Sequence, residues 1–193
     1  EKIAKGLSNI EPVRDALRRA NEEVELDEGR MKELMLTIHD KLKKEGGAAG
    51  FDEYYGLEDY PILINYIDAA DRPLGWDYDA LMYLLQKLEG DQSNYIAFVN
   101  ASSDHTPFAR MHEPFNRYKH GSDTEGGYLN MLHYTDWAIG EFIKNFSQRK
   151  DFGETVFIIT ADHALAHFQG ADPYGKFRIP LIIYSPSNFN PEK

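Results

Sequence analysis

Residues 155–163 (TVFIITADH) constrain the fold more than any other part of this sequence. Residues 155–159 are β-branched or aromatic, a pattern typical of a strand that is buried on both faces of a parallel sheet. Such sheets carry helices on both sides, so the segment predicts an α/β fold. Functional groups in open α/β sheets gather at the carboxyl ends of the strands, and Asp162 and His163 stand at that end.

Asp162 and His163 are the candidate metal ligands of the chain. A carboxylate beside an imidazole is a natural ligand pair for a divalent ion. The dipeptide alone is also compatible with an Asp that caps the next segment and a His that lies half exposed in a loop. The 193 residues include no cysteine, which excludes disulfides and thiolate ligands. Any metal must therefore bind oxygen and nitrogen ligands.

Composition excludes several classes of partner. Hydrophobic residues make up 42% of the chain, as in ordinary globular proteins. The formal net charge of −11 opposes non-specific binding to nucleic acid or to an anionic membrane surface. No apolar run reaches the roughly 18 residues of a membrane-spanning helix. We therefore expect no nucleic-acid partner and no transmembrane segment within this chain.

The chain divides into two parts that differ in composition and in the spacing of their apolar residues. Residues 1–48 are highly charged and have apolar residues at three- and four-residue steps, which predicts an N-terminal helical hairpin. Residues 49–193 alternate apolar runs with helical patterns, which predicts an α/β domain with a mostly parallel sheet flanked by helices. We expect this second part to be truncated at both ends.

The α/β part contains a strand–helix–strand pattern. Strands are predicted over residues 95–100, 155–159 and 180–184, and helices over residues 78–89 and 128–148. A strand–helix–strand unit makes a right-handed crossover between parallel strands. The carboxyl ends of the first two strands would then meet at one sheet edge, which brings His105 towards Asp162 and His163. The apolar face of the long helix is predicted to consist of Tyr128, Leu132, Thr135, Ile139, Phe142 and Phe146.

Five motifs in residues 50–186 carry a family resemblance. In chain order they are residues 50–55 (GFDEYY), 103–108 (SDHTPF), 134–140 (YTDWAIG), 156–163 (VFIITADH) and 179–186 (IPLIIYSP). Their order and spacing resemble the catalytic domain of the lipoteichoic acid synthase and phosphoglycerol transferase group. That group is a branch of the sulfatase and alkaline phosphatase superfamily. The resemblance implies an alkaline phosphatase-like fold, represented here in part.

The resemblance also implies a chemistry and its residues. In that family a Thr nucleophile attacks the phosphorus of a phosphatidylglycerol-like donor, assisted by a divalent metal (Mn, Mg or Zn). Asp162 and His163 match the family's paired metal ligands, and His105 matches a histidine that binds the headgroup or helps proton transfer. Trp76 stands near the position of a substrate-side tryptophan. His167, in the following loop, is an additional candidate for the site.

The chain departs from the family pattern at important positions. The Glu and the nucleophilic Thr that complete the family's metal site have no matching motif, and Thr37 is the only Thr before residue 50. Ala164 replaces the usual Gly after the Asp-His pair. Metal sites usually need three or four protein ligands, so two ligands predict weak metal binding. We therefore expect the parent protein to be an enzyme and this chain alone to lack a complete catalytic site.

Three functions remain open from the sequence. The first is a metal-dependent phosphoglycerol transferase domain that acts on a phospholipid headgroup. The second is a sulfatase or phosphodiesterase of the same superfamily, although a classical sulfatase with a cysteine-derived formylglycine is excluded by the lack of Cys. The third is a catalytically incomplete fragment or binding module. The family relatives act at the extracytoplasmic face of a bacterial membrane, and the resemblance implies the same location here.

Overall fold

The computed structural model describes residues 51–57, 59–67, 76–164 and 178–187. The predicted hairpin over residues 1–48 and the candidate His167 lie outside the described residues. The chain forms two compact units, Glu1–Tyr60 and Pro61–Lys193. In the first unit, the Asp59 N–H donates to the Gly56 carbonyl at 3.0 Å and the Gly56 N–H donates to Asp59 Oδ2 at 2.7 Å, which closes a turn. The predicted division at residue 48 stays a prediction.

The first described helix, α1, spans Asp77–Lys87 and confirms the helix predicted over residues 78–89. Its first turn carries Asp77 and Asp79, whose charges suit the positive end of the helix dipole. Gly90 follows the helix with a φ of 80°, a conformation that an L side chain rarely adopts, and this ends the helical run. The helix buries Leu81, and its C-cap residue Leu88 is buried in the same cluster with the second helix.

The long helix, α2, spans Glu125–Phe146 and confirms the helix predicted over residues 128–148. Thr124 caps it, because its side-chain oxygen accepts a hydrogen bond from the Gly127 N–H at 3.2 Å. The face predicted for this helix was partly wrong, since Leu132 is exposed. The buried face carries Asn130, Met131, Tyr134, Ala138, Phe142 and Phe146.

Two hydrophobic clusters lie along α2. The first surrounds the amino-terminal half of the helix and includes Tyr66, Trp76, Phe108, Met111, Met131 and Tyr134. The second joins the carboxyl-terminal half to α1 and includes Leu81, Leu88, Ala138, Phe142 and Phe146. Polar side chains on the buried face of α2 are hydrogen-bonded to residues outside the helix, which makes their burial possible. The Asn130 side chain, for example, accepts from the Tyr118 N–H at 2.8 Å and donates to the Tyr118 carbonyl at 3.0 Å.

Two strands are present in the described residues, β1 (Phe157–Thr160) and β2 (Leu181–Tyr184). They confirm the strands predicted near residues 155–159 and 180–184. They pair antiparallel, with Phe157 opposite Tyr184 and Thr160 opposite Leu181. The inward face of β1 packs on the second cluster, where the Phe157 ring meets the Phe146 ring edge-on with centroids 5.0 Å apart. This packing places the start of β1 beside the carboxyl-terminal end of α2.

The prediction that residues 155–159 are buried on both faces is wrong for the described structure. The second face of β1 is open, and Ile158 and its partner Ile183 are exposed. The two strands pack on the helices through one face, and among the described residues nothing covers the other face. This explains why the outward side chains of β1 are exposed. The alternation of inward and outward side chains is nevertheless that of a strand.

Residues 95–100 do not form a strand in the described structure. Tyr95 and Val99 pack on the second cluster. Ile96 and Phe98 point the other way and are 77% and 76% exposed. Ala97, between Tyr95 and Val99, is also exposed, so the alternation of a strand is only partial, and the segment has no ladder partner among the described residues. Its parallel pairing with β1, and the mostly parallel sheet, remain predictions.

Candidate functional site

Asp162 and His163 lie two and three residues beyond the end of β1, as the sequence predicts. Their side chains are 83% and 67% exposed and point into solvent. Asp162 Oδ2 and His163 Nε2 are 3.6 Å apart, while Asp162 Oδ1 accepts a hydrogen bond from the His163 N–H at 2.8 Å. The backbone bond turns the carboxylate so that its second oxygen stays beside the imidazole.

The ring of His163 is oriented by a second hydrogen bond. Its Nδ1 lies 3.1 Å from the Ala164 carbonyl oxygen. Because a carbonyl oxygen only accepts, Nδ1 is the protonated nitrogen, and in the neutral ring Nε2 carries the free lone pair. Metal-binding histidines are commonly oriented in this way, by an N–H donated to a carbonyl or carboxylate.

The donor geometry of Asp162 and His163 fits one divalent ion. Two ligands at roughly 2.1 Å around a tetrahedral ion lie about 3.4 Å apart. The 3.6 Å between Asp162 Oδ2 and His163 Nε2 is close to that separation. Oxygen and imidazole nitrogen together suit Zn or Mn, so these two residues could hold such an ion.

His105 lies in the loop that follows residues 95–100, and it is exposed. Its Nδ1 is 2.5 Å from the Thr106 carbonyl oxygen, so this nitrogen also carries the proton. In the neutral ring, Nε2 is then an acceptor that can receive a hydrogen bond or a proton from a hydroxyl group. Donation from Nε2 requires the charged imidazolium.

The predicted convergence of His105 on Asp162 and His163 stays a prediction. Among the described residues, no three His, Asp or Glu side chains lie close enough together to hold a metal ion. His105 therefore does not join the Asp162–His163 pair as a third ligand in the described structure. His167, which was the other candidate near this pair, lies outside the described residues.

Trp76 is a core residue in this structure. It is buried, and its ring stacks on the Tyr66 ring with centroids 3.7 Å apart and planes 6° from parallel. The Tyr134 ring meets it edge-on at 5.8 Å. These contacts give Trp76 a packing role, and they do not favour the substrate contact that was predicted for it.

A buried carboxylate, Asp79, was missed by sequence reasoning. Its Oδ1 accepts hydrogen bonds from the Leu63 N–H at 3.0 Å and the Tyr66 hydroxyl at 3.3 Å. Its Oδ2 is buried without a hydrogen-bond partner among the described residues. Burial raises the pKa of Asp79 from 3.8 to about 6, although the two hydrogen bonds act in the opposite direction. The sequence signal was weak, because an Asp in a first helical turn is usually solvated.

Two buried tyrosines extend the hydrogen bonding of Asp79. The hydroxyl oxygens of Tyr66 and Tyr134 are 2.7 Å apart, and the Tyr78 N–H donates to the Tyr134 oxygen at 3.2 Å. Burial raises the pKa of both tyrosines above its ordinary value, so both hydroxyls stay protonated. The network connects α1, α2 and the segment before α1.

A shallow groove of about 580 Å³ lies elsewhere on the surface, at the amino-terminal end of α2. Its lining includes Lys119, His120, Thr124 and Leu129. None of the residues predicted for the site lines it. The groove therefore gives no support to the predicted site.

The comparisons with known proteins agree with the fold. The sequence matches the Sulfatase family model over residues 36–193. The structure is similar to the lipoteichoic acid synthase LtaP from Listeria monocytogenes, with 21% identity, a TM-score of 0.60, and coverage of 77% of this chain and 40% of that chain. It is also similar to a protein in the alkaline phosphatase superfamily from Vibrio parahaemolyticus, with 23% identity and a TM-score of 0.53. That match covers 70% of this chain and 33% of the other.

The two structural matches support an alkaline phosphatase-like fold, and the chain spans less than half the length of either neighbour. Within the described residues, no helix has both the length and the apolar character to cross a membrane. The family match covers most of the sequence and includes the segments that carry His105, Asp162 and His163. The chain therefore belongs to the Sulfatase family, and its fold resembles that of the lipoteichoic acid synthase LtaP.

Proposed function

We propose that this chain carries part of the active site of a metal-dependent enzyme that acts on a phosphodiester such as a phosphatidylglycerol-like headgroup. The observation that carries the proposal is the pair formed by Asp162 and His163 after β1. The two donor atoms lie 3.6 Å apart, and the ring of His163 is oriented by the Ala164 carbonyl. Both side chains are exposed and accessible to an ion and a substrate.

Asp162 Oδ2 and His163 Nε2 would hold the ion. When bound, a divalent ion supplies positive charge that neutralises the phosphoryl oxygens. The Asp162 carboxylate stays beside the ring because its other oxygen accepts from the His163 N–H. This backbone hydrogen bond limits the side-chain freedom that binding has to remove.

His105 would act on the headgroup side of the substrate. Its Nδ1–H is donated to the Thr106 carbonyl, so Nε2 of the neutral ring can accept a hydrogen bond from a glycerol hydroxyl. The same atom can take the proton of an attacking hydroxyl while the new O–P bond forms and the O–P bond to the leaving alcohol breaks, and the leaving oxygen then takes up a proton from water. The nucleophile of the proposed transfer reaction is not assigned to any residue of this chain.

The proposed location is the extracytoplasmic face of a bacterial membrane, where a phosphatidylglycerol-like donor is presented. The similarity to a lipoteichoic acid synthase supports this location. Protease added to intact cells should degrade the native protein. Complete protection in intact cells, with degradation after lysis, would contradict it.

The experiment that tests the function is a Mn²⁺-dependent phosphodiesterase assay on a chromogenic diester and on fluorescent phosphatidylglycerol. Asp162→Ala and His163→Ala are compared with the wild type, and Asp123→Ala supplies an exposed carboxylate as the matched control. Introduced into the parent protein, which would supply the nucleophile, each ligand variant should lose on the order of 100-fold in Mn²⁺-dependent rate. The control should keep the wild-type rate.

Three other outcomes decide against parts of the proposal. Equal rates in the wild type and in Asp162→Ala would exclude the metal-ligand role. Absence of turnover in every variant, together with Mn²⁺ binding that Asp162→Ala abolishes, would instead show a binding module. A preference for sulfate esters over phosphodiesters would reassign the substrate to the sulfatase branch.

A further inference from the structure

The loop before His105 is anchored to the amino-terminal end of α1 by the carboxylate of Asp77. Asp77 Oδ1 accepts hydrogen bonds from the Ser102 N–H at 3.0 Å and the Ser103 N–H at 2.9 Å. In return, Ser103 Oγ accepts from the Asp77 N–H at 3.0 Å. Asp77 and Ser103 are 1% and 0% exposed. The bonds are therefore made away from water, where bonds to a carboxylate are strong.

The Ser103 hydroxyl acts as the missing cap of α1. Trp76 occupies the N-cap position and makes no side-chain capping bond. The Asp77 N–H belongs to the first turn, where it has no acceptor within the helix. Ser103 supplies that acceptor from a distant part of the chain. The arrangement therefore stabilises α1 and the loop together.

The second carboxylate oxygen of Asp77 is held by α2. The Thr135 hydroxyl donates to Asp77 Oδ2 at 2.7 Å. Asp77 thus binds two amide groups of the loop through one oxygen and a residue of α2 through the other. The orientation of the carboxylate is fixed by both helices, so the loop is fixed relative to both.

A short path of hydrogen bonds connects Asp77 to His105. Ser102, whose N–H is bound to Asp77, uses its carbonyl to accept the His105 N–H at 3.1 Å. The His105 ring is then fixed by the bond between Nδ1 and the Thr106 carbonyl. Two hydrogen bonds therefore separate the buried carboxylate from the His105 backbone.

We propose that Asp77 is a positioning residue that sets the direction in which His105 presents Nε2 to a phosphate-ester headgroup. The headgroup part of this inference rests on the proposed function, while the positioning part rests on the contacts above. Asp77 itself is buried and does not touch substrate. Its role is to hold the Ser102 peptide group, and through it His105, in one orientation.

Asp77→Ala tests the inference, with Asp77→Asn as the conservative variant. Asparagine keeps an oxygen for the two loop N–H groups, so it should restore the wild-type behaviour. Phe146→Leu, at the far end of α2, controls for a general loss of stability. If Asp77→Ala does not fold, Thr135→Val removes the bond that orients the carboxylate and tests the same point.

The first readout is NMR of the protein without ligand. In Asp77→Ala, amide hydrogen exchange at Ser103 and His105 should accelerate by about tenfold, the factor that corresponds to one hydrogen bond. The His105 ring signals should shift towards those of a ring without its Nδ1 bond. Unchanged His105 signals in Asp77→Ala, or equal changes in Phe146→Leu, would overturn the positioning role.

The second readout is glycerol phosphate binding in the presence of Mn²⁺, measured as a double-mutant cycle between Asp77 and His105. If Asp77 acts through His105, the affinity lost in Asp77→Ala should disappear in a His105→Ala background. Additive losses would overturn the inference. If wild type does not bind glycerol phosphate, the proposed function fails at this site, and the NMR readout still decides the positioning role.

Discussion

Replacing Asp79 by Asn should make the protein more stable at neutral pH. Asp79 is 1% exposed, and its pKa is raised to about 6 because burial disfavours the charged carboxylate. At pH 7 the group is nevertheless largely ionised, with one oxygen left without a partner among the described residues. Asparagine keeps the shape and the acceptor for the Leu63 N–H and removes the buried charge.

The size of the effect follows from the pKa of Asp79. A folded-state pKa of about 6 against an unfolded value of 3.8 corresponds to about 3 kcal/mol. This shift already includes every interaction of the charge in the folded protein. We therefore expect Asp79→Asn to raise the free energy of unfolding by about 3 kcal/mol at pH 7.

The sign of the pH dependence is fixed by the raised pKa. Between pH 3.8 and 6 the folded protein holds a proton on Asp79 that the unfolded chain has lost. The stability contributed by neutral Asp79 is therefore fully present below pH 3.8 and is lost as the pH rises through 6. The advantage of Asp79→Asn should thus disappear near pH 4.

Urea unfolding of the wild type and Asp79→Asn, measured at several pH values from 4 to 7, checks this prediction. Asp136→Asn, at an exposed position of α2, is the control for removing a carboxylate from the surface. A stability difference for Asp79→Asn that stays constant from pH 4 to 7 would refute the reasoning. A loss of stability at pH 7 would show that the Asp79 charge is compensated.

Three further predictions concern packing, and each is checked by chemical unfolding unless another measurement is named. Gly127→Ala should destabilise the protein by more than about 2 kcal/mol, because a Cβ there would overlap the Gly121 carbonyl oxygen. At Gly140 a Cβ would meet nothing within 4 Å, so Gly140→Ala should stabilise α2 by about 0.5–1 kcal/mol. Equal effects of the two changes would contradict this. Phe146→Ala should cost about 3–5 kcal/mol, because the ring is buried among other aromatic rings; a cost below 1 kcal/mol would argue against the described core. Ile158→Thr should change the free energy of unfolding by less than about 0.5 kcal/mol, because the side chain is exposed. It should also reduce self-association measured by light scattering, because the exposed face of the strand is β-branched and apolar. A large loss of stability would show that this face is covered.

The helices and the strand before the candidate ligands were predictable from local patterns. The three- and four-residue spacing in α2 depends only on neighbours in the chain, and it predicted the helix within a few residues. The buried face was harder, because Tyr134 and Asn130 enter the core only when distant partners satisfy their polar groups. Such partners are not visible in a local pattern.

The anchoring role of Asp77 was not predictable for the same reason. Asp77 and Ser103 are separated by 26 positions, and neither is unusual in its local sequence. The position of Asp162 and His163 just after a strand was predictable from the strand pattern, while their role as metal ligands stays a prediction. Their separation and the orientation of the His163 ring required the structure.

The most direct test of the central claim is Mn²⁺ binding measured by titration calorimetry on the wild type, Asp162→Ala and His163→Ala. His112→Ala, another exposed histidine, is the matched control. We predict one weakly bound ion per chain, loss of binding in both ligand variants, and unchanged binding in the control. Binding that survives both Asp162→Ala and His163→Ala would contradict the assignment of these residues as metal ligands.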